Sequence, residues 1–540
     1  MVRIAAFLIA ALLGGQPFDL VVEKGRIVDG MGNPWYGADL GIRAGVIAEI
    51  GNLKSRPAKR RLNAQGLVVS PGFIDMMGGS SLPLLLDPAS AASKLTQGIT
   101  TIFAGEGGSE APQSAETLPR DAAKAGYKWT TFAEYFRLLE QKRVALNVLH
   151  NVGAAQVRRV VVGTVDRAPT AAEMQRMRDL VHQAMRDGAA GFSTALIYPP
   201  GTYARREELV EMGKVVGQYG GIYSTHMRNE SFQLLEAIEE ALDIGRKAGI
   251  GVHIYHLKAA GQDNWPLMRK AVDRITTARA AGMDVTADIY PYVRNGLGLS
   301  ALIHPRHFAQ GRDPFLRRLP DAAFRAELRK EVEATSDWEN WFRHVGSTWE
   351  NILIAQVGNA GDKRLEGKSL AEAAKLLGKD EWTIFFDLVG GGDVSVNPKS
   401  MDEEQKHLGL RTEFVSLCTD ASPTNPSTAT GAHPRAFGSF PRVLAKYVRE
   451  DRVISLETAV RKMTSLAANR LSLWNRGRIA PGMAADLVVF DAARIQDQAT
   501  FERPLAVTTG IQWVLVNGRV AVENGRLTTE RAGQLLKRSN

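Results

Sequence analysis

Along most of its length the chain alternates short, unbroken apolar runs with longer stretches in which apolar residues return every three or four positions. Strand-like runs occur at Gly72 to Asp75, Thr100 to Ala104, Leu146 to Val152, Gly191 to Leu196, Ile222 to His226, Val252 to His256, Val285 to Tyr290 and Phe414 to Cys418. The stretches between them have helical spacing, as Leu235, Ile238 and Leu242 show after the fifth run. Eight buried strands separated by amphipathic helices predict a (β/α)8 barrel over residues 69–476.

The texture differs at both ends. From Phe18 to Val68 short alternating segments are broken by turn residues, and the same style returns at Gly482 to Phe490 and Val514 to Arg519. Residues 16–68 and 477–540 are therefore expected to build one small antiparallel β domain, a sandwich made from both chain ends. Within the central unit, residues 301–410 are helical and charged, carry Trp338, Trp341 and the Gly390-Gly391-Gly392 loop, and are too long for a strand-to-helix connection. They predict an insertion that partly covers the barrel mouth.

The chain carries a net charge of +9, but its Lys and Arg residues are scattered, without a basic run interleaved with aromatics, which argues against nucleic-acid binding. Its single cysteine, Cys418, excludes an internal disulfide framework and a multi-cysteine zinc site. Buried in the last strand, that thiol is expected to be inert. At the N-terminus Arg3 precedes an apolar run from Ile4 to Leu13 that closes on Gly14-Gly15. Residues 1–15 thus look like a secretory signal, too short for a transmembrane helix, and predict a periplasmic or secreted protein without stable membrane insertion, the alternative being a retained hydrophobic start on a cytoplasmic protein.

Two strands end in an imidazole. Ile222 to His226 and Val252 to His256 are joined by one helix, so His226 and His256 arrive side by side at the carboxyl ends of neighbouring strands, the face where barrel active sites form. His253, an odd number of residues from His256, faces the other way and reads as packing. A catalytic metal takes three protein ligands and keeps one position open. The third is expected from Glu106, set between Gly105 and Gly107 after the second strand. His150 is a weaker candidate for the mouth. After the last strand, Asp420 is positioned to take a proton from water and return it to a leaving group. Lys258, Arg228, Tyr290 and Tyr198 stand at strand exits and are candidates for binding substrate, the cations for a carboxylate.

The stretches Gly191 to Gly201, Ser224-Thr225-His226-Met227-Arg228, His256-Leu257-Lys258 and His433-Pro434-Arg435-Ala436-Phe437-Gly438 together resemble the N-acyl-D-amino-acid deacylases of the amidohydrolase superfamily over nearly the whole chain. The resemblance implies metal ligation by His226 and His256, acid–base catalysis by Asp420, and Lys258 and Tyr290 at the substrate. The chain also departs from that pattern. Where the superfamily usually carries His-x-His after the first strand, this sequence has Met77 and Gly79, and where those deacylases use a cysteine it has Glu106-Gly107. The expectation is one divalent metal, zinc first with manganese, iron or nickel open, held by Glu106, His226 and His256. The expected reaction is hydrolysis of the amide of an N-acyl-D-amino acid or a related small acylated amine. Two alternatives stay open: a cyclic-amide or D-peptide hydrolase of the same superfamily, and a silent relative that only binds a ligand.

Overall fold

The structure is a computed structural model that describes residues 16–334, 338–358, 361–392 and 394–538; the signal expected at residues 1–15 lies outside them. Eight parallel strands follow one another around a sheet: β1 (Phe73–Asp75), β2 (Ile99–Ala104), β3 (Asn147–Gly153), β4 (Gly191–Ala195), β5 (Ile222–His226), β6 (Gly251–Ile254), β7 (Val285–Ile289) and β8 (Val415–Leu417). The ring closes between first and last, where the Met76 amide donates to Leu417 O at 3.3 Å and the Asp420 amide to Met77 O at 3.1 Å. Strand periodicity sorts the side chains. Ile74, Phe103, Leu149 and Ile222 share one buried cluster with Tyr255 and Tyr290, while Ile102, Val148, Phe192 and Val252 pack in another with helix residues such as Ile238 and Leu242.

Both chain ends enter a single nine-stranded sheet, joined where Val68–Pro71 pairs antiparallel with Leu487–Phe490. Alternate residues of that junction serve two cores. Val69, Leu487 and Val489 belong to the sheet's own interior, whereas Val68, Val488 and Phe490 pack in the main barrel cluster. The sheet is mixed rather than all antiparallel, because Leu20–Ile27 runs parallel to both Arg61–Asn63 and Val68–Pro71.

The excursion between β7 and β8 departs from the helical expectation. It contains a three-stranded antiparallel sheet of Leu297–Gly298, Ser395–Pro398 and Ile352–Gln356 around a separate core that includes Leu302, Phe315, Trp341, Phe342 and Phe385. Its first strand precedes residue 301. The helix Glu403–Arg411, counted in sequence with the insertion, packs against β7 and β8 and is part of the barrel wall. Among the described residues no helix is long and apolar enough to cross a membrane.

Candidate active site

His226 is the last residue of β5. His256 lies just beyond β6 on a backbone with φ of 35°, a left-handed conformation unusual for a histidine, and its amide donates to Asp288 Oδ1 at 2.6 Å. Glu106 is turned inward by glycines on either side, with φ of 98° at Gly105 and 65° at Gly107. A Cβ at Gly107 would lie 2.6 Å from Ala195 N, so the loop passes β4 too closely for any side chain there.

These turns bring three donors together. Glu106 Oε1 lies 2.9 Å from His226 Nδ1 and 3.3 Å from His256 Nε2, and one donor from each of the three residues lies within 4.8 Å of the others. Ligands about 2.1 Å from a tetrahedral zinc are separated by about 3.4 Å, so the spacing and the nitrogen and oxygen donors suit a divalent cation. Among the described residues this is the one such cluster. Burial pushes the Glu106 carboxyl up, but hydrogen bonds from His226 and His256 outweigh it and hold the group ionised, as a ligand must be.

The outward nitrogens of both imidazoles face a carboxylate that sequence reasoning missed. Glu230 Oε1 is 3.0 Å from His256 Nδ1, and Oε2 is 3.4 Å from His226 Nε2. Four residues beyond His226 in a charged stretch, Glu230 gave only its spacing as a signal, yet it is fully buried. Carboxylates in this position fix ring orientation and raise ligand basicity. From the insertion, Glu339 Oε1 accepts from the Glu230 amide at 2.5 Å, and burial beside Glu230 pushes the Glu339 carboxyl up.

The donors open on a chamber of about 30 Å³, the space of one small ion or water, walled also by Asp420, Arg435, Lys258 and Tyr290. Asp420 follows β8 with φ of 49°. Burial raises its carboxyl above the usual aspartate range, with Arg435 and His256 pulling the other way. Arg435, quoted in a sequence motif but given no role, donates through Nη1 to Asp420 Oδ2 and stacks over the Tyr290 ring at 4.9 Å. Its signal was the His433-Pro434-Arg435 stretch, which lies too far along the chain from β8 for spacing to reveal the contact.

Of the other candidates, Lys258 and Tyr290 reach the chamber, and Lys258 Nζ is engaged there by Glu230 Oε2 at 2.6 Å and His256 Nδ1 at 2.7 Å. Tyr198 borders both the chamber and a larger outer cavity. Arg228 is not brought to the chamber. Its guanidinium is held by Glu240 at 2.9 Å and by the carbonyls of Thr202 and Ala204, because the helix after β5 presents Glu240 directly to it. It lines the outer cavity instead. His253 is buried between Thr286 Oγ1 and Asp288 Oδ2, each at 2.8 Å. His150 bonds Ser81 Oγ at 2.8 Å among Phe132, Tyr135 and Phe136, away from the chamber. Cys418 is fully buried, and burial pushes its thiol up.

At the exit of β1 no imidazole replaces the missing pair. Met77 is buried, and a Cβ at Gly79 would lie 2.6 Å from Ser422 N on a backbone with φ of 71°. Asp75 is saturated by Lys94 Nζ at 2.8 Å, Thr419 Oγ1 at 2.6 Å and the Thr419 amide at 2.9 Å.

Comparison with known proteins places the chain among its relatives. A model described as the amidohydrolase family matches residues 414–522. The chain is 35% identical to D-aminoacylase of Alcaligenes xylosoxydans xylosoxydans over 97% of its own length and 98% of that protein. It is 34% identical to N-acyl-D-glutamate deacylase of the same organism, over 97% of each. Among solved structures, N-acyl-D-glutamate deacylase from Bordetella bronchiseptica, complexed with zinc and a phosphonate mimic of the tetrahedral intermediate, superposes with a TM-score of 0.81 at 32% identity, covering 97% of this chain and all of that one. The chain belongs to the D-aminoacylase and N-acyl-D-amino-acid deacylase family of metal-dependent amidohydrolases.

Proposed function

We propose that the protein hydrolyses the amide bond of N-acyl-D-amino acids with one divalent metal, zinc first, held by Glu106, His226 and His256. The observation that carries this is the convergence of those three donors on a small chamber beside Asp420. The D configuration of the substrate is taken from the names of the relatives. A single metal is supported by the buried methionine and the uncrowdable glycine where a second ligand pair would stand.

A divalent cation in the chamber supplies Lewis acidity, polarising the amide carbonyl and bringing the pKa of water toward neutrality. Asp420, ionised, accepts the proton of the attacking water. It then delivers that proton to the amide nitrogen as the C–N bond breaks, giving a free carboxylic acid and an amine. The raised affinity of Asp420 for its proton suits this shuttle, since a carboxylate with the usual low pKa would be a poor acid toward the leaving nitrogen. Arg435, which lines the chamber beside Asp420 and stacks on Tyr290, holds the substrate carboxylate on the β8 side, while Lys258 is held in the same chamber by Glu230 and His256. Glu230 keeps both imidazoles aimed inward.

Metal analysis of the purified protein together with an activity screen tests the reading. About one equivalent of metal, lost in His226→Ala and His256→Ala, and turnover of N-acyl-D-amino acids in preference to their L counterparts and to hydantoins are expected. Metal-loaded protein that ignores every D substrate would remove it.

A further inference from the structure

The helix Glu403–Arg411, part of the barrel wall behind β7 and β8, sends one lysine into the interior. Lys406 is 2% exposed, and among the described residues its ammonium makes no ion pair. Its hydrogen bond goes to Met401 Sδ at 3.1 Å, a weak acceptor. The charge rests instead over the ring of Tyr290, with Nζ 4.9 Å from the centroid. The Arg435 guanidinium stands over the same ring at the same distance, so two cations share one tyrosine. An unpaired ammonium in the interior costs stability that a methionine there would not, so its presence calls for a role.

Tyr290 supplies the link to chemistry. It lines the chamber, and its hydroxyl accepts from Asn295 Nδ2 at 3.4 Å, which leaves its own proton for an oxygen of the substrate. As water adds to the amide carbon, negative charge builds on the carbonyl oxygen. A phenol that donates to that oxygen releases part of its proton, and a positive charge held against the ring favours the release. Lys406 is not among the residues that line the chamber, so it acts from behind Tyr290 and not on the substrate directly. We propose that Lys406 is a positioning residue for this hydrolysis, whose ammonium strengthens the Tyr290 hydroxyl as a donor to the developing oxyanion. This rests on the functional reading above and deepens it.

The surroundings of the amine give the test its sign. Burial and Lys258 push Lys406 down to about 7, while Glu403, Cys418 and Asp402 pull it up, and its charge also reaches His433. The ammonium is therefore lost as pH rises through about 7. An unfolded lysine keeps its proton to about pH 10.4, so the cost of burying this one is complete below about pH 7 and gone above about 10.4. Lys406→Met keeps the volume and removes the charge. With the best substrate of the screen at about pH 6, its kcat should fall at least about tenfold while KM and metal content stay near wild type and the urea midpoint rises. Wild-type kcat should decline toward the variant's value between about pH 6 and about pH 9, a decline that Lys406→Met does not share. Lys406→Gln takes its place should that variant not fold. A folded variant with wild-type kcat, a decline common to both proteins, or a fall in kcat that comes with lost metal and a lower urea midpoint overturns the role and leaves the deacylase reading standing. Metal-loaded wild type that turns over no substrate removes both.

Discussion

Asp420 sits on a backbone that few aspartates adopt, with φ of 49°, fixed by its amide bond to Met77 O at 3.1 Å and by the Arg435 contact on its side chain. Asp420→Asn preserves the shape but not the proton carrier, so kcat should fall by about 10²- to 10⁴-fold while metal content stays at wild-type level. The pH dependence has a defined sign. Burial raises the Asp420 carboxyl, and Arg435 is the foremost group lowering it again. The base must be ionised, so activity is lost as pH falls through that raised value. Arg435→Gln, which removes the lowering charge, should move the acid limb of kcat/KM to higher pH and also raise KM. A limb that stays in place would show that another group titrates there. Glu230 gives a separate test, because it lines the chamber and touches both imidazoles from within it. Glu230→Gln should weaken metal affinity by about 10- to 100-fold, measured by competition with a chelator.

At the scale of elements, the exits of β1 and β8 are locked to each other by Lys94, whose ammonium reaches Asp75, Thr419 and the Ala421 carbonyl with no exposure to solvent. Removing one partner strands the other charge, so Lys94→Met should cost about 3–5 kcal/mol in urea unfolding. Kinetic loss should accompany it, because Asp420 rides on the same loop. The neighbouring Gly79 decides the metal count: placing histidines at 77 and 79 should leave about one equivalent bound and lower stability, since the added side chain at 79 runs into Ser422. Two equivalents in that double variant would contradict the single-metal reading. These elements also show what the sequence could convey. Apolar runs located all eight strands, and the strand-end rule placed His226, His256, Glu106 and Asp420 because each lies within two residues of a strand end or in the first loop after one. Arg435 and Glu339 escaped it, and Glu230, although in the first loop after β5, was not recognised. Their burial comes from segments brought in by tertiary packing, and a charged residue in a polar stretch looks solvated until the fold surrounds it. The engagement of Arg228 was hidden for the converse reason, since nothing local announces that Glu240, in the second turn of the helix after β5, takes its charge.

Across the whole molecule the insertion is a working wall of the site, and its attachment to the barrel can be probed by pH. Glu339 bonds the Glu230 amide, the Gly261 amide donates to Ser400 O at 2.8 Å, and His344 packs so tightly on the loop after β6 that a Cβ at Gly261 would lie 3.1 Å from its Nδ1. Burial pushes His344 down to about 3, with Glu230 the one group pulling the other way. An unfolded histidine titrates near about 6.5, so below that pH the unfolded or detached state binds a proton that the packed state refuses. The stability this imidazole contributes is complete above about pH 6.5 and is lost as pH falls toward 3, by at most about 1.4 kcal/mol per unit. His344→Gln should flatten that part of the stability curve relative to wild type, and the difference between the two isolates this residue from the carboxylates that titrate over the same range. Because this buried imidazole is at the junction, acid should first expose amides of the segment from Trp341 to Val345 to hydrogen exchange while those of β5 and β6 stay protected. Simultaneous loss of protection in both would mean that insertion and barrel unfold as one unit.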